Sequence, residues 1–241
     1  MFVAFEEAGP HPCPNTGPSF LNGPYRASVC HAPQGRQRNR IGQNLKKEAA
    51  PLPIRIFIDQ GHNPQGVNAG AEGNGLREQD INYNVGSYLK ELLDGDPRFQ
   101  ARVSRRTPTE SLGTSNATSL RARVDMANSW PANYFISIHC NSNPSPTLNG
   151  TEAYVYQQNT QAYWLAQHIL NGIVQQTGIR DNGVRINPSL YVLRKTKMPA
   201  VLAELGYLSN PRDAEKLRND QWGFAQGIYL GLLSYFGFRQ L

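Results

Sequence analysis

From Ile54 onward the chain alternates between short apolar runs and longer segments of helical period, and this alternation limits the fold more than any other feature. IRIFID is a compact apolar run that ends in a Gly-containing turn, as a buried strand does. EQDINYNVGSYLKELL follows, with Ile81, Val85, Tyr88, Leu89 and Leu92 at helical spacing and Gly95 and Pro97 as stop signals. ARVSR reads as a strand and SLRARVDMANSW as a helix with Leu120, Val124 and Ala127 on one face. YFISIH is a second buried strand, and EAYVYQ a third. QAYWLAQHILNGIVQQ is amphipathic, with Leu165, Ala166, Ile169, Leu170 and Ile173 inward. YVLR and PAVLAEL read as further strands, and WGFAQGIYLGLLSYF as a closing helix. Such alternation predicts an α/β domain: a mostly parallel central sheet with helices on both faces. In such sheets chemistry gathers where strands run out into loops.

The 241 residues, 39% of them hydrophobic, suit one such domain with extra material. Residues 1–50 are rich in Gly, Pro, Asn and Gln and lack any period, so they are expected to be a disordered or loosely attached extension. The domain is expected over 51–241. Half of the net charge of +6 lies in that extension, concentrated in GRQRNRIGQNLKK. This basic segment, 36–47, is either a solvated tail or a weak contact for an anionic polymer. No aromatic interleaving or nucleic-acid motif accompanies it, so no nucleic-acid partner is expected. The start, MFVAFEEAGPHPC, does not read as an export signal, because Glu6 and Glu7 stand where basic residues belong. The three cysteines, Cys13, Cys30 and Cys140, are not a disulfide framework, although Cys13 and Cys30 are close enough in sequence to pair.

Polar residues at strand ends carry the chemistry. IRIFID runs into Asp59 and His62, YFISIH ends on His139, and MPAVLAELGYLSN carries Glu204 beside its strand's end. Histidine and glutamate are costly in apolar runs unless paired or bound to metal. Catalytic zinc takes three protein ligands and keeps a fourth position open. His62 and His139 supply two nitrogens, and Glu78 a carboxylate from a helix start on the face shared with Ile81 and Val85. Glu204 is then a carboxylate free to move protons. Each residue also has a plainer reading. The histidines can be hydrogen-bonded structural residues, Glu78 a helix-start acid, and Glu204 one half of a buried ion pair. No H-E-x-x-H signature is present.

Together these segments resemble the zinc-dependent N-acetylmuramoyl-L-alanine amidases of the Amidase_3 type, over about residues 54–237. IFIDQGHN resembles that family's strand and Asp-x-Gly-His turn, GLREQDINYNV its Glu-led helix, and SLRARVDMAN its Leu-x-x-Arg-x-x-x-Ala-Asn helix. YFISIHCNSN, NGTEAYVY and MPAVLAELGYLSN match its Ser-Ile-His-x-Asn strand, its Gly-x-Glu strand and its Met-Pro-x-x-Leu-x-Glu-x-Gly-x-x-Ser-Asn segment, in the family's order. The resemblance implies one zinc ion on His62, Glu78 and His139, with Glu204 as the catalytic glutamate. It implies hydrolysis of the amide between the lactyl group of N-acetylmuramic acid and L-alanine, acting on peptidoglycan in the cell envelope, and the chain is expected to be a monomer. Gln60 and Asn63 depart from the family's Asp-Pro-Gly-His-Gly. Gly61 is expected to permit the turn that aims His62, with Asn63 tolerating left-handed backbone. The segment between His139 and Glu152 is too short for the long blocking helix that some relatives carry. Rival readings are a cysteine hydrolase using Cys140, a non-catalytic wall-binding module, and a zinc deacetylase on another polymer.

Overall fold

A computed structural model describes residues 51–241. The expectations for 1–50, including the loose extension, the Cys13–Cys30 pair and the basic segment 36–47, fall outside the described residues.

The strands are β1 Ile54–Gln60, β2 Glu72–Gly73, β3 Leu76–Arg77, β4 Phe99–Val103, β5 Tyr134–Asn141, β6 Thr151–Val155, β7 Asp181–Ile186 and β8 Ala200–Tyr207. The helices are α1 Glu78–Asp94, α2 Asn116–Ser129, α3 Gln161–Thr177, α4 Tyr191–Lys195, α5 Pro211–Asn219 and α6 Gln221–Phe236. Six strands form one sheet in the order β4-β1-β5-β8-β6-β7, and β2 and β3 make a separate small hairpin. Every pairing in the large sheet is parallel except β6 with β8.

Side chains on a strand point alternately to its two faces, and β1 feeds both layers of the core. Ile56 and Ile58 pack with α1, α3 and α6. Phe57 lies on the other face with Phe135 of β5, against Val124 and Ala127 of α2 and Val192 and Leu193 of α4. Both layers are needed because a parallel sheet is apolar on both sides. The inward residues expected for α3, Leu165, Ala166, Ile169, Leu170 and Ile173, are all buried. At about 1.5–3 kcal/mol for each large apolar side chain removed from water, such a stripe anchors its helix.

Local signals set the ends of several helices. Ser115 and Thr118 form a reciprocal capping box at α2, Thr160 caps α3, and Asn210 caps α5 ahead of Pro211. Residues 142–150 join β5 to β6 without a helix. Among the described residues, no helix is long and apolar enough to cross a membrane.

Two elements differ from the sequence reading. YVLR belongs to the short helix α4, not to a strand. Only Val192 and Leu193 of it are buried, and three consecutive apolar residues carry neither the alternation of a strand nor enough length for a helical period. Glu204 lies inside β8, in register with His139 and Glu152, instead of beside the strand's end.

Candidate metal centre

Strand register builds one polar row across the sheet. Along β5, Phe135, Ser137 and His139 share a face, and so do Ala200, Leu202 and Glu204 along β8. Phe135 pairs with Ala200, Ser137 with Leu202 and His139 with Glu204, and Glu204 then pairs with Glu152 of β6. Moving toward the carboxyl end of β5, the face turns from apolar to ionisable. His62 reaches the row from the turn after β1, and Glu78 from the first residue of α1.

Glu78 Oε1 is the centre of the cluster. His139 Nδ1 lies 3.0 Å from it and His62 Nε2 3.1 Å. The two imidazoles stand nearly perpendicular, 4.8 Å between centroids. The three donor atoms lie within 4.8 Å of one another, a group that can hold a metal ion. Two donors 2.0–2.1 Å from a tetrahedral zinc would stand about 3.3 Å apart, close to the spacing of Glu78 Oε1 from each histidine nitrogen.

The donor chemistry also suits a cation. His62 Nδ1 sits 3.1 Å from the carbonyl oxygen of Asn68, which accepts its proton. A neutral ring has one N–H, so Nε2 then turns a lone pair toward Glu78 Oε1. A lone pair and a carboxylate oxygen facing each other leave a place for positive charge between them. Burial pushes the Glu78 carboxyl up, but the two histidines, when the nitrogens facing it carry protons in place of a metal, outweigh it and hold the group well below the usual range. The backbone N–H of Ala71 donates to Oε2 at 2.9 Å, and that of Cys140 to Oε1 at 3.1 Å.

The turn that presents His62 is held from below. Arg123 of α2 is fully buried. Its Nη1 donates to Asp59 Oδ1 at 2.7 Å and to the Gln60 carbonyl at 2.6 Å, and its Nη2 to the His62 carbonyl at 2.6 Å. Ser137 donates to the other Asp59 oxygen at 2.9 Å. Asp59 is thus the foundation of the turn and not a metal donor. His62 itself takes the left-handed conformation, φ 67°, and Asn63 does not. The expectation that Gly61 supplies the unusual backbone and Asn63 tolerates it is corrected: among 61–63 the positive φ belongs to the histidine. Asn63 instead bridges outward, donating to the Val67 and Leu112 carbonyls and accepting from the Leu112 N–H. Gln60 is sealed against α1 and the Arg105 backbone, its amide donating to the Tyr83 carbonyl at 3.1 Å and accepting from Arg105 N at 3.0 Å. Both departures from the family's turn are therefore fully hydrogen-bonded.

Glu204 differs from every other carboxylate in the row. Among the described residues its Oε2 has no hydrogen-bond partner, and it is shut off from solvent. Burial, and then the charges of Glu78 and Glu152, push its carboxyl well above the ordinary value. Glu152 is more deeply buried than the half-buried Glu204, but it accepts from Asn141 Nδ2 and Tyr154 OH at 2.8 Å and from Arg185 Nε at 2.5 Å. The sequence reading placed Glu152 in a strand and gave it no partner. A buried Glu in an otherwise apolar strand was the signal that could have singled it out.

Cys140 points away from this row. Its thiol is buried against Asn82 Oδ1 of α1 at 3.6 Å. Burial, and then the Glu78 and Glu204 charges, raise its pKa well above the ordinary thiol value. A nucleophilic cysteine needs the opposite environment. His168 bonds Ser234 Oγ at 2.9 Å on the α3–α6 side of the sheet.

Comparisons with known proteins agree with this geometry. LytC, an N-acetylmuramoyl-L-alanine amidase of Bacillus subtilis (strain 168), is 35% identical over 185 residues, covering 75% of this chain and 35% of LytC. This chain therefore spans about a third of that relative's length. YqiI of the same organism is 34% identical over 185 residues, covering 75% of this chain and 84% of YqiI. The crystal structure of an N-acetylmuramoyl-L-alanine amidase from Clostridium difficile 630 superposes with a TM-score of 0.70 at 32% identity, covering 79% of this chain and all of that one. The Amidase_3 family profile, described as N-acetylmuramoyl-L-alanine amidase, matches residues 56–234. That match takes in nearly all of the described domain and the whole His-Glu-His cluster, and the chain belongs to the N-acetylmuramoyl-L-alanine amidase family.

Proposed function

We propose that residues 51–241 form a zinc-dependent hydrolase that cuts the amide between the lactyl group of N-acetylmuramic acid and the L-alanine of peptidoglycan stem peptides. Because that polymer lies outside the cytoplasmic membrane, we place its action in the cell envelope. The observation that carries the reading is the convergence of His62 and His139 on one oxygen of Glu78, with the unpartnered Glu204 Oε2 in the same row.

His62, Glu78 and His139 are the residues that would hold the metal. Zinc held there supplies a Lewis acid that polarises an amide carbonyl and makes water more acidic. The Asn68 carbonyl keeps the His62 ring in one tautomer, and the Ala71 and Cys140 N–H groups fix the Glu78 carboxylate. Glu204 acts as general base and then general acid through its free oxygen. It takes a proton from water as the water oxygen bonds to the lactyl carbonyl carbon. It returns a proton to the alanine nitrogen as the carbon–nitrogen bond breaks, leaving a lactyl carboxylate and a free amino terminus. A carboxyl with no fixed hydrogen-bond partner is suited to both halves of this exchange.

The test is product chemistry on purified peptidoglycan. The proposal expects new L-alanine amino termini that vanish with a chelator and return with zinc. New reducing sugar ends, new internal peptide ends or released acetate would each contradict it.

A further inference from the structure

Beside the polar row lies a second feature that the metal chemistry leaves unused. A cavity of about 400 Å³ opens between β6, β7 and the 142–150 loop, lined among others by Leu148, Glu152, Tyr154, Arg180, Asn182 and Arg185. Glu152 belongs both to this cavity and to the row, where it is the register partner of Glu204. Tyr154 is the register partner of Arg185, which brings both onto the same face as Glu152.

The charge in this cavity is not closed. Glu152 accepts hydrogen bonds from its neighbours Asn141, Tyr154 and Arg185. Arg185 spends only its Nε on Glu152, and its side chain is half exposed. Among the described residues, its Nη groups and the whole Arg180 guanidinium make no hydrogen bond or ion pair. The cavity thus holds two arginines against one internally satisfied carboxylate. Its rim is also built in advance. Asn182 Nδ2 holds the Asn149 carbonyl at 2.7 Å, and Gly150, at φ 107°, donates its N–H to Asp213 Oδ2 at 2.7 Å. Leu148 is left at the mouth as an exposed apolar lip.

We propose that this cavity is the subsite for the peptide arm of the substrate, and that Arg180 and Arg185 read a free carboxylate on that arm. The inference rests on the amidase reading, because that reading places the leaving alanine nitrogen at Glu204, one strand away. A peptide leaving over β6 and β7 passes directly across the two arginines. A guanidinium fork with a free edge accepts a carboxylate in a two-point geometry that a carboxamide cannot match. The subsite therefore selects for unamidated stem peptides.

The experiment uses the full chain, zinc-loaded, on one peptidoglycan preparation before and after carbodiimide amidation of its peptide carboxylates. Release of L-alanine amino termini is followed below saturation. The wild type is expected to lose about tenfold in kcat/KM on amidation, chiefly through KM, as fits the loss of one charge-assisted contact. Arg180→Gln and Arg185→Gln, each checked for an unaltered melting profile, are expected to bring the ratio between the two substrates toward one. Arg180→Gln keeps the test sound if loss of Arg185 unsettles Glu152. Equal cutting of both substrates by the wild type overturns the subsite alone. So does a wild-type ratio retained in both variants. Failure to cut either substrate overturns the amidase reading and the subsite with it.

Discussion

The imidazole of His139 fills the space that any side chain on Gly61 would need: a Cβ there would lie 2.4 Å from Cε1 and 2.5 Å from Nε2. The Gly61 N–H also donates to the Ile138 carbonyl at 3.0 Å, so the two strands cannot move apart to make room. Gly61→Ala is therefore expected to push the His139 ring off Glu78 while β1 stays paired. Zinc affinity should fall by about 10–100-fold, the usual scale for disturbing the surroundings of a metal ligand. A metal titration on the folded variant checks this, and an unchanged affinity would show that His139 does not bind zinc.

The Arg123–Asp59 pair supports the His62 turn from inside the core. Arg123→Met leaves Asp59 buried without its counter-charge, and breaking such a pair typically costs about 3–5 kcal/mol. Urea unfolding of the metal-free protein measures this directly. A loss under 1 kcal/mol would mean that water reaches Asp59 and that the turn stands without Arg123.

The same pair gives stability a pH dependence of known sign. Burial raises the Asp59 carboxyl, but the charge and hydrogen bond of Arg123 outweigh it and hold the group below 3.8. Asp96 is also held below 3.8, chiefly by hydrogen bonds from the Arg98 side chain. A group whose folded pKa is depressed contributes its stability in full above the unfolded value, and loses it as pH falls through the folded value. The part of the urea midpoint that these two groups supply is thus expected to be lost as pH falls below about 3.8, whereas Glu204, whose carboxyl burial raises, acts with the opposite sign at higher pH. Asp96→Asn should flatten part of that drop. A midpoint that rises as pH falls below about 3.8 would contradict both assignments.

Cys140 is expected to be chemically silent in the native state. Mass mapping after iodoacetamide treatment should find it unlabelled until the chain is unfolded. Cys140→Ala should keep kcat/KM within about threefold of wild type, since a buried neutral thiol supplies no nucleophile. Labelling with parallel loss of activity would revive the cysteine reading.

What the sequence disclosed follows from how each element is buried. β1, β5, α1 and α3 were legible because each carries a full apolar face at its own period. His62, Glu78 and His139 stood out because polar residues follow directly on those faces. β7 was not legible: DNGVRI is an edge strand with only partial burial, so its pattern is that of a loop. α5 was missed although Asn210-Pro211 is a good start signal, because only Asp213, Ala214 and Leu217 of its nine residues are buried. α4 was read as a strand because five residues are too few to separate the two periods. The pairing of Glu204 with Glu152 needs the register of an antiparallel pair inside a parallel sheet, which no local pattern encodes. The placement of positive φ at His62 had the same origin, since contacts with Arg123 and Asn68 select it.

The central claim is that Glu204 moves the proton and the other three residues hold the metal. It is tested most directly by Glu204→Gln, measured for zinc content and for release of L-alanine amino termini in the same preparation. The account predicts one zinc per chain, as in the wild type, with kcat lowered by about 10²–10⁴-fold. A variant that keeps its zinc and cuts at the wild-type rate would contradict the assignment of Glu204. One that loses its zinc would show that Glu204 belongs to the metal centre itself.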